Sequence, residues 1–276
     1  MSEPLRVMVN GRAGGTLDPL DRGLAYGDGL FETILAVDGR APLWLRHMAR
    51  LAEGCARLGL PPPDPAQLAA ELDGVVAGLA RAAVRVTLTR GSGPRGYAPV
   101  GATATTRIVA AFAAPTIAAH VQRQGIRVRL CDLRLAAQPR LAGIKHLNRL
   151  EQVLARAEWD DPAVGEGLLL DTEGRLISAT AANLFLCRDG RPMTPALDRC
   201  GVAGVARAEV LALRPDCLVR ELGTDDLMHA DEVFLTSSLR GVMPVTRLGD
   251  RQWPVGPVAR ALQRHWRGMD PAGAAA

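Results

Sequence analysis

Apolar positions along the chain follow two rhythms. Met48, Leu51, Cys55 and Leu58 recur three or four residues apart before Gly59, which predicts a helix from Arg46 to Leu58. Leu68, Leu72, Val75 and Leu79 form a second such stripe behind Pro65, a residue suited to a helix's first turn. Leu5 to Asn10, Leu30 to Val37, Ala83 to Thr89 and Thr105 to Phe112 read instead as strands. Asp38-Gly39 marks a turn after Val37, with Ala41 to Leu45 as the expected returning partner, and Arg90 to Gly101 is a glycine-rich loop.

Beyond Pro115 the mixture continues. Ile126 to Cys131 predicts a strand, Leu133 to Gly143 a loop, and Ile144 to Trp159 a helix with Lys145 near its start. Gly167 to Asp171, Arg175 to Ser178, Asn183 to Cys187 and Glu232 to Thr236 read as strands, Gly204 to Leu213 and Pro257 to Gly268 as helices. The strict strand–helix alternation of a doubly wound sheet is missing, as are a Gly-x-Gly-x-x-Gly turn and a P-loop. The pattern therefore predicts an α+β protein of two domains, parted between Pro115 and Gly125. We take them as a smaller N-terminal domain, 1–116, and a larger C-terminal domain, 117–276, carrying Lys145.

Composition narrows the function classes. With 48% hydrophobic and 22% charged residues, the 276-residue chain folds as a globular protein. Aromatic residues are 4%, so the core rests on Leu, Val, Ile and Ala, and no aromatic platform for single-stranded nucleic acid is expected. The net charge is only +4, with basic residues scattered among acids, so nucleic-acid binding is reduced to surface charge. No apolar run reaches membrane-spanning length and the first residues lack a signal-peptide core, so no membrane partner is expected and the cytoplasm is the expected compartment. Cys55, Cys131, Cys187, Cys200 and Cys217 stand singly, which fits reduced thiols and no metal site.

Of 33 basic side chains, one is a lysine, Lys145. Coding bias explains a preference for arginine on the surface. It leaves two readings of the exception: chance retention, or a task that needs a primary amine able to attack a carbonyl.

The motifs around it decide the expectation. Leu141-Ala-Gly-Ile-Lys-His-Leu-Asn-Arg-Leu-Glu-Gln-Val-Leu154 resembles the lysine segment of the class IV pyridoxal-phosphate enzymes. That family comprises branched-chain and D-amino-acid aminotransferases and 4-amino-4-deoxychorismate lyases. Asp21 to Glu32 (DRGLAYGDGLFE), His47 to Leu51, Arg90 to Tyr97 (RGSGPRGY) and Ala182 to Phe185 match further family segments in order. The GIKHLNR and RGSGPRGY forms are most similar to the lyases. The resemblance implies a two-domain fold-type-IV architecture, like the D-amino-acid aminotransferases, and a homodimer.

It also implies roles for individual residues. Lys145 would attach to the cofactor aldehyde, yield to the substrate amine, and then move protons at the substrate carbon. Arg50 would hold the cofactor phosphate, its alternative being a solvated cation on an amphipathic helix. The backbone amides of Val205 and Ala206 would form a helix-terminus anion site, joined by Ser238 and the Leu239 amide. Phe31 falls where D-amino-acid aminotransferases place a tyrosine, and either walls the pocket or packs the core. Arg90, Arg95 and Tyr97 are implied at the substrate entrance, where two substrate carboxylates would want arginine. Asn148 either bonds the cofactor ring or substrate, or is a neutral surface amide.

One position departs from the family. Five residues before Asn183, where a glutamate should face the pyridine nitrogen, the chain has Ser178. A carboxylate there would favour the protonated ring by roughly 1.4–4 kcal/mol; serine offers a neutral hydrogen bond. Transamination should suffer more than an elimination driven by aromatisation. The leading expectation is thus a pyridoxal-phosphate lyase making 4-aminobenzoate and pyruvate from an amino substrate with carboxylates. The alternatives are a class IV aminotransferase for D-amino or branched-chain amino acids, or a family member weakened by Ser178.

Overall fold

The protein is described from a computed structural model covering residues 3–99 and 104–270. The end of the glycine-rich loop, 100–101, lies outside the described residues. Packing divides the chain into two units, Met1–Pro115 with Ile144–Asn148, and Thr116–Gly143 with Arg149–Ala276.

The first unit contains β1 (Arg6–Val9), β2 (Arg12–Ala13), α1 (Arg22–Tyr26), β3 (Gly29–Val37), α2 (Trp44–Leu58), α3 (Pro65–Val76), β4 (Arg81–Thr89) and β5 (Thr106–Ala113). Its antiparallel sheet has the order β2-β1-β5-β4-β3. α3 starts where Asp64 accepts a hydrogen bond from Ala66 N–H and Pro65 fills the first turn. α2 buries His47, Leu51, Gly54 and Cys55. Gly54 lets it lie close on β3, since a β-carbon there would come within 2.8 Å of Leu30. Ala41 to Leu45 forms no returning strand. A Val37–Arg40 bridge closes the turn through Asp38 and Gly39, both at positive φ, and the chain enters α2 by Trp44. The neighbour of β3 is β4, paired along its whole length.

A second correction concerns Lys145. The expected helix from Ile144 to Trp159 is reduced to α5, Leu150–Arg156, beyond a short helix α4 (Ala119–Gln124) and strand β6 (Ile126–Leu135). Residues 145–147 pair instead with the start of β3. Phe31 N–H donates to Lys145 C=O at 2.9 Å, and Leu147 N–H to Gly29 C=O at 3.0 Å. Backbone groups used across strands cannot also close helical turns. Lys145 consequently packs with the first unit and not with the C-terminal domain expected to carry it.

The second unit continues with β7 (Val164–Asp171), β8 (Leu176–Ala179), β9 (Asn183–Arg188), β10 (Arg191–Pro195), α6 (Val205–Leu213), β11 (Leu218–Arg220), α7 (Thr224–Met228), β12 (Glu232–Ser237), β13 (Gly241–Leu248), β14 (Arg251–Gln252) and α8 (Pro257–Met269). Its mixed sheet runs β11-β10-β9-β12-β13-β6-β7-β8, with β14 on β13. One apolar layer joins Leu168, Leu184, Leu186, Val233, Leu235 and Val245. A second places stacked Phe185 and Phe234 under Val258, Leu262 and Trp266 of α8. α8 is seated by the buried Glu232 carboxylate, which accepts from Val258 and Ala259 N–H. Among the described residues, no helix is long and apolar enough to cross a membrane.

Candidate cofactor site

In the first unit, strand alternation sends Phe31 and Glu32 to opposite faces of β3. Phe31 is buried, with Lys145 Nζ 4.2 Å and Arg85 Cζ 4.3 Å from its ring centroid. The sole lysine is thus held both by its backbone on β3 and by a cation–π contact at its tip. Desolvation pushes the Arg85 guanidinium below its ordinary pKa.

Glu32 is 1% exposed and carries two partners from α2. Arg50 Nε donates to Oε1 at 2.8 Å and Arg50 Nη2 to Oε2, while His47 Nδ1 lies 2.7 Å from Oε2. Burial opposes the carboxylate's charge. Arg50 and His47 outweigh it, and the net result holds Glu32 below the usual carboxylate range. His47 is pushed the other way: burial lowers it against the pull of Glu32, and Arg50 and Lys145 lower it further. Arg50 is therefore no freely solvated cation but a guanidinium fixed in orientation. The sequence motif contained Glu32 and His47, yet gave no signal that both are buried against Arg50.

Other expected substrate residues are placed differently. Arg90 is built into the fold: Nε donates to Asp28 at 2.8 Å, Nη1 to Gly59 C=O at 3.1 Å and Nη2 to Leu58 C=O at 2.7 Å, capping the C-terminus of α2. Asn148 is not on a helix; its Nδ2 donates to Gly27 C=O at 3.1 Å, beside the end of α1. Arg95 and Tyr97 are exposed, and Tyr97 meets Tyr26 edge-on at 5.5 Å. Buried Arg22 latches their loop by donating to Gly96 and Tyr97 carbonyls.

In the second unit, α6 begins at Val205 and Ala206, both buried, behind Gly204, which offers no side-chain cap. The first amides of a helix lack intrahelical acceptors, so this terminus suits an anion. Asn183 shapes its approach, donating to Val202 C=O at 2.8 Å and accepting from Gly204 N–H at 3.0 Å. Only glycine fits at 204, because a β-carbon would stand 2.0 Å from Asn183 Oδ1. Ser238 and Leu239 occupy the turn between β12 and β13. Ser178 is buried in β8 opposite Leu169. The nearby strand β7 carries buried Glu166, bonded to Thr180 and to Arg240 Nη2 at 2.5 Å, a pair sequence reasoning missed because its members lie 74 residues apart.

The first unit offers a primary amine and an oriented guanidinium, and the second a helix terminus that suits an anion. The model for amino-transferase class IV matches residues 29–248, and the chain belongs to that family of pyridoxal-phosphate enzymes. Within it, the chain is similar to aminodeoxychorismate lyase of Vibrio harveyi, 35% identical over 254 residues, covering 88% of this chain and 93% of that protein. It is also similar to the solved 4-amino-4-deoxychorismate lyase of Pseudomonas aeruginosa, 46% identical with a TM-score of 0.91, covering 95% and 98% of the two chains. D-alanine aminotransferase of Bacillus licheniformis is 27% identical over 274 residues, 94% of this chain and 95% of that one. The α+β, fold-type-IV expectation from sequence is borne out.

Proposed function

We propose that the chain is a pyridoxal-phosphate-dependent lyase that converts 4-amino-4-deoxychorismate to 4-aminobenzoate and pyruvate, a step toward folate. The observation that carries the substrate assignment is the likeness to the Pseudomonas lyase along nearly the whole chain. When bound, the cofactor supplies an aldehyde for the substrate amine and a conjugated ring that accepts the electron pair of a broken C–H bond.

The chain's own residues do the rest. Lys145 would hold the cofactor through its amine and, when that amine is free, would take the proton from the amine-bearing carbon. Arg50, the Val205 and Ala206 amides, Ser238 and the Leu239 amide would hold the phosphate. Ser178 would offer the pyridine nitrogen a neutral hydrogen bond in place of a counter-charge. Phe31 fixes the lysine tip and brings no hydroxyl beside it. Exposed Arg95 and Tyr97 are offered to the substrate carboxylates, while Arg90 and Asn148 act by holding α2, α1 and the lysine segment in place.

The chain is read as homodimeric and cytoplasmic. Exposed Leu150, Val153 and Leu154 on α5 support the first; light scattering of the purified protein checks it. The second reading, a D-amino-acid aminotransferase, draws on the Bacillus relative. Supplying 4-amino-4-deoxychorismate without an oxo acid should release 4-aminobenzoate and pyruvate in equal amounts. Turnover only with D-alanine and an added oxo acid would replace the lyase reading by the aminotransferase one.

A further inference from the structure

Asp28 joins three pieces of the first unit. Its chain neighbours carry the lysine segment: Asn148 Nδ2 donates to Gly27 C=O at 3.1 Å, and Leu147 N–H to Gly29 C=O at 3.0 Å. Its Oδ2 accepts from Arg90 Nε at 2.8 Å, at the C-terminus of α2, and from Arg22 Nε at 3.0 Å, on α1. Burial opposes the charge of Asp28, yet the two guanidiniums outweigh it and hold the carboxyl below its ordinary range. Arg22 is 3% exposed, and its two other nitrogens reach the loop after β4. Nη1 donates to Gly96 C=O at 2.8 Å and Nη2 to Tyr97 C=O at 3.3 Å. One planar guanidinium thus sets two successive loop carbonyls against the carboxylate beside the lysine segment.

The same loop is held at both ends. At its start Arg22 N–H donates to Gly91 C=O at 2.9 Å, and Ser92 Oγ to Asp18 Oδ2 at 2.7 Å. At its far end Gly96 N–H donates to the Tyr26 hydroxyl at 3.2 Å, where the Tyr26 and Tyr97 rings meet edge-on. Only Gly93, Pro94 and Arg95 lie between these anchors, and the Pro94 ring fixes one of their φ angles. Exposed Arg95 is carried on this short span. A loop ordered in advance loses little further freedom when it meets a ligand. We propose that Arg22 is a positioning residue for substrate binding: with Asp28 it holds the 92–97 loop in fixed register with the lysine segment, so that Arg95 meets a substrate carboxylate without the loop having to order first. This rests on the substrate role given to Arg95 above. Arg22 itself is buried and engaged at every nitrogen, so it acts through the loop and not on the substrate.

The test uses the cofactor-loaded protein and chorismate, which carries both substrate carboxylates but a hydroxyl in place of the amine, so that binding is read by calorimetry without chemistry. Arg95→Ala should weaken chorismate binding about 10- to 100-fold. Arg22→Met should weaken it about 10- to 100-fold too, with affinity for pyridoxal phosphate changed no more than about threefold. The KM of Arg22→Met for 4-amino-4-deoxychorismate should rise while kcat stays within about threefold. Adding Arg22→Met to Arg95→Ala should cost no more than about a further threefold, because one residue acts through the other. Losses that multiply, or an Arg22→Met protein that binds chorismate like the wild type, overturn the proposal and leave the role of Arg95 standing. Equal losses for chorismate and for pyridoxal phosphate make Arg22 a packing residue and overturn it as well. Arg95→Ala that binds chorismate like the wild type, or a wild type that does not bind it, overturns the substrate reading of the loop and this proposal with it. Tyr26→Phe tests the loop where Arg22→Met does not fold: the side chain is 37% exposed, and the change removes the Gly96 anchor alone. Its chorismate affinity should fall about 3- to 10-fold; an unchanged affinity overturns the proposal.

Discussion

Replacing Glu32 by glutamine removes one negative charge from a site 1% exposed, where Arg50 and His47 both depend on it. Glutamine keeps an acceptor oxygen but leaves the Arg50 guanidinium without its counter-charge. Breaking a buried ion pair from one side typically costs about 3–5 kcal/mol, a large share of the ~5–15 kcal/mol that folds a domain. The pH dependence follows from the depressed carboxyl of Glu32. Its stabilisation is complete above the unfolded carboxylate value, about 4.3, and is lost as pH falls through the lower folded value. Urea unfolding at pH 7 should therefore show Glu32→Gln less stable by about 3–5 kcal/mol. Below pH 4 the gap between variant and wild type should narrow, because the wild type then loses the same charge. Cofactor-loaded and cofactor-free samples are compared, so that lost binding is not read as lost folding. A cost under about 1 kcal/mol at pH 7, or a gap that does not change with pH, would refute the reasoning.

Arg50→Ala should weaken cofactor binding by about 30- to 1,000-fold, for about 2–4 kcal/mol of lost charge-assisted bonding, with less effect on turnover at saturation; an absorbance titration checks it. Ser178→Glu should raise transamination side activity more than lyase activity, measured in the same cofactor-loaded samples across pH; equal gains, or loss of both with cofactor bound, would contradict the charge argument. Gly204→Ala forces Asn183 aside and should cost about 1–3 kcal/mol of stability in thermal unfolding, together with weaker phosphate binding at α6.

How far these features could be read in advance depended on how local their cause was. α2 and α3 were legible because a stripe at helical period, Gly59, and the Asp64-Pro65 start are local signals. β10 and β13 were missed because Pro192, Pro195 and Pro244 argue against strands, yet both strands are paired in a sheet. The lysine segment misled for another reason. Leu147, Leu150 and Leu154 keep a helical spacing, but pairing of Lys145 and Leu147 with β3 overrides it, a contact more than a hundred residues distant. Motifs drew attention to Lys145 and Arg50. They did not show that Arg90 caps α2 or that Glu32 orients Arg50 and His47, since burial and partnership depend on the assembled sheet.

Lys145 is the proposed point of cofactor attachment, on which every other assigned role depends. Borohydride reduction of the purified protein, followed by digestion and mass measurement, should add the cofactor mass to the peptide containing Lys145. Lys145→Arg should retain the charge but lose both that adduct and turnover, since a guanidinium does not condense with the aldehyde at neutral pH. A cofactor-loaded protein whose Lys145 peptide stays unmodified after reduction, or a Lys145→Arg variant that still releases pyruvate, would contradict it.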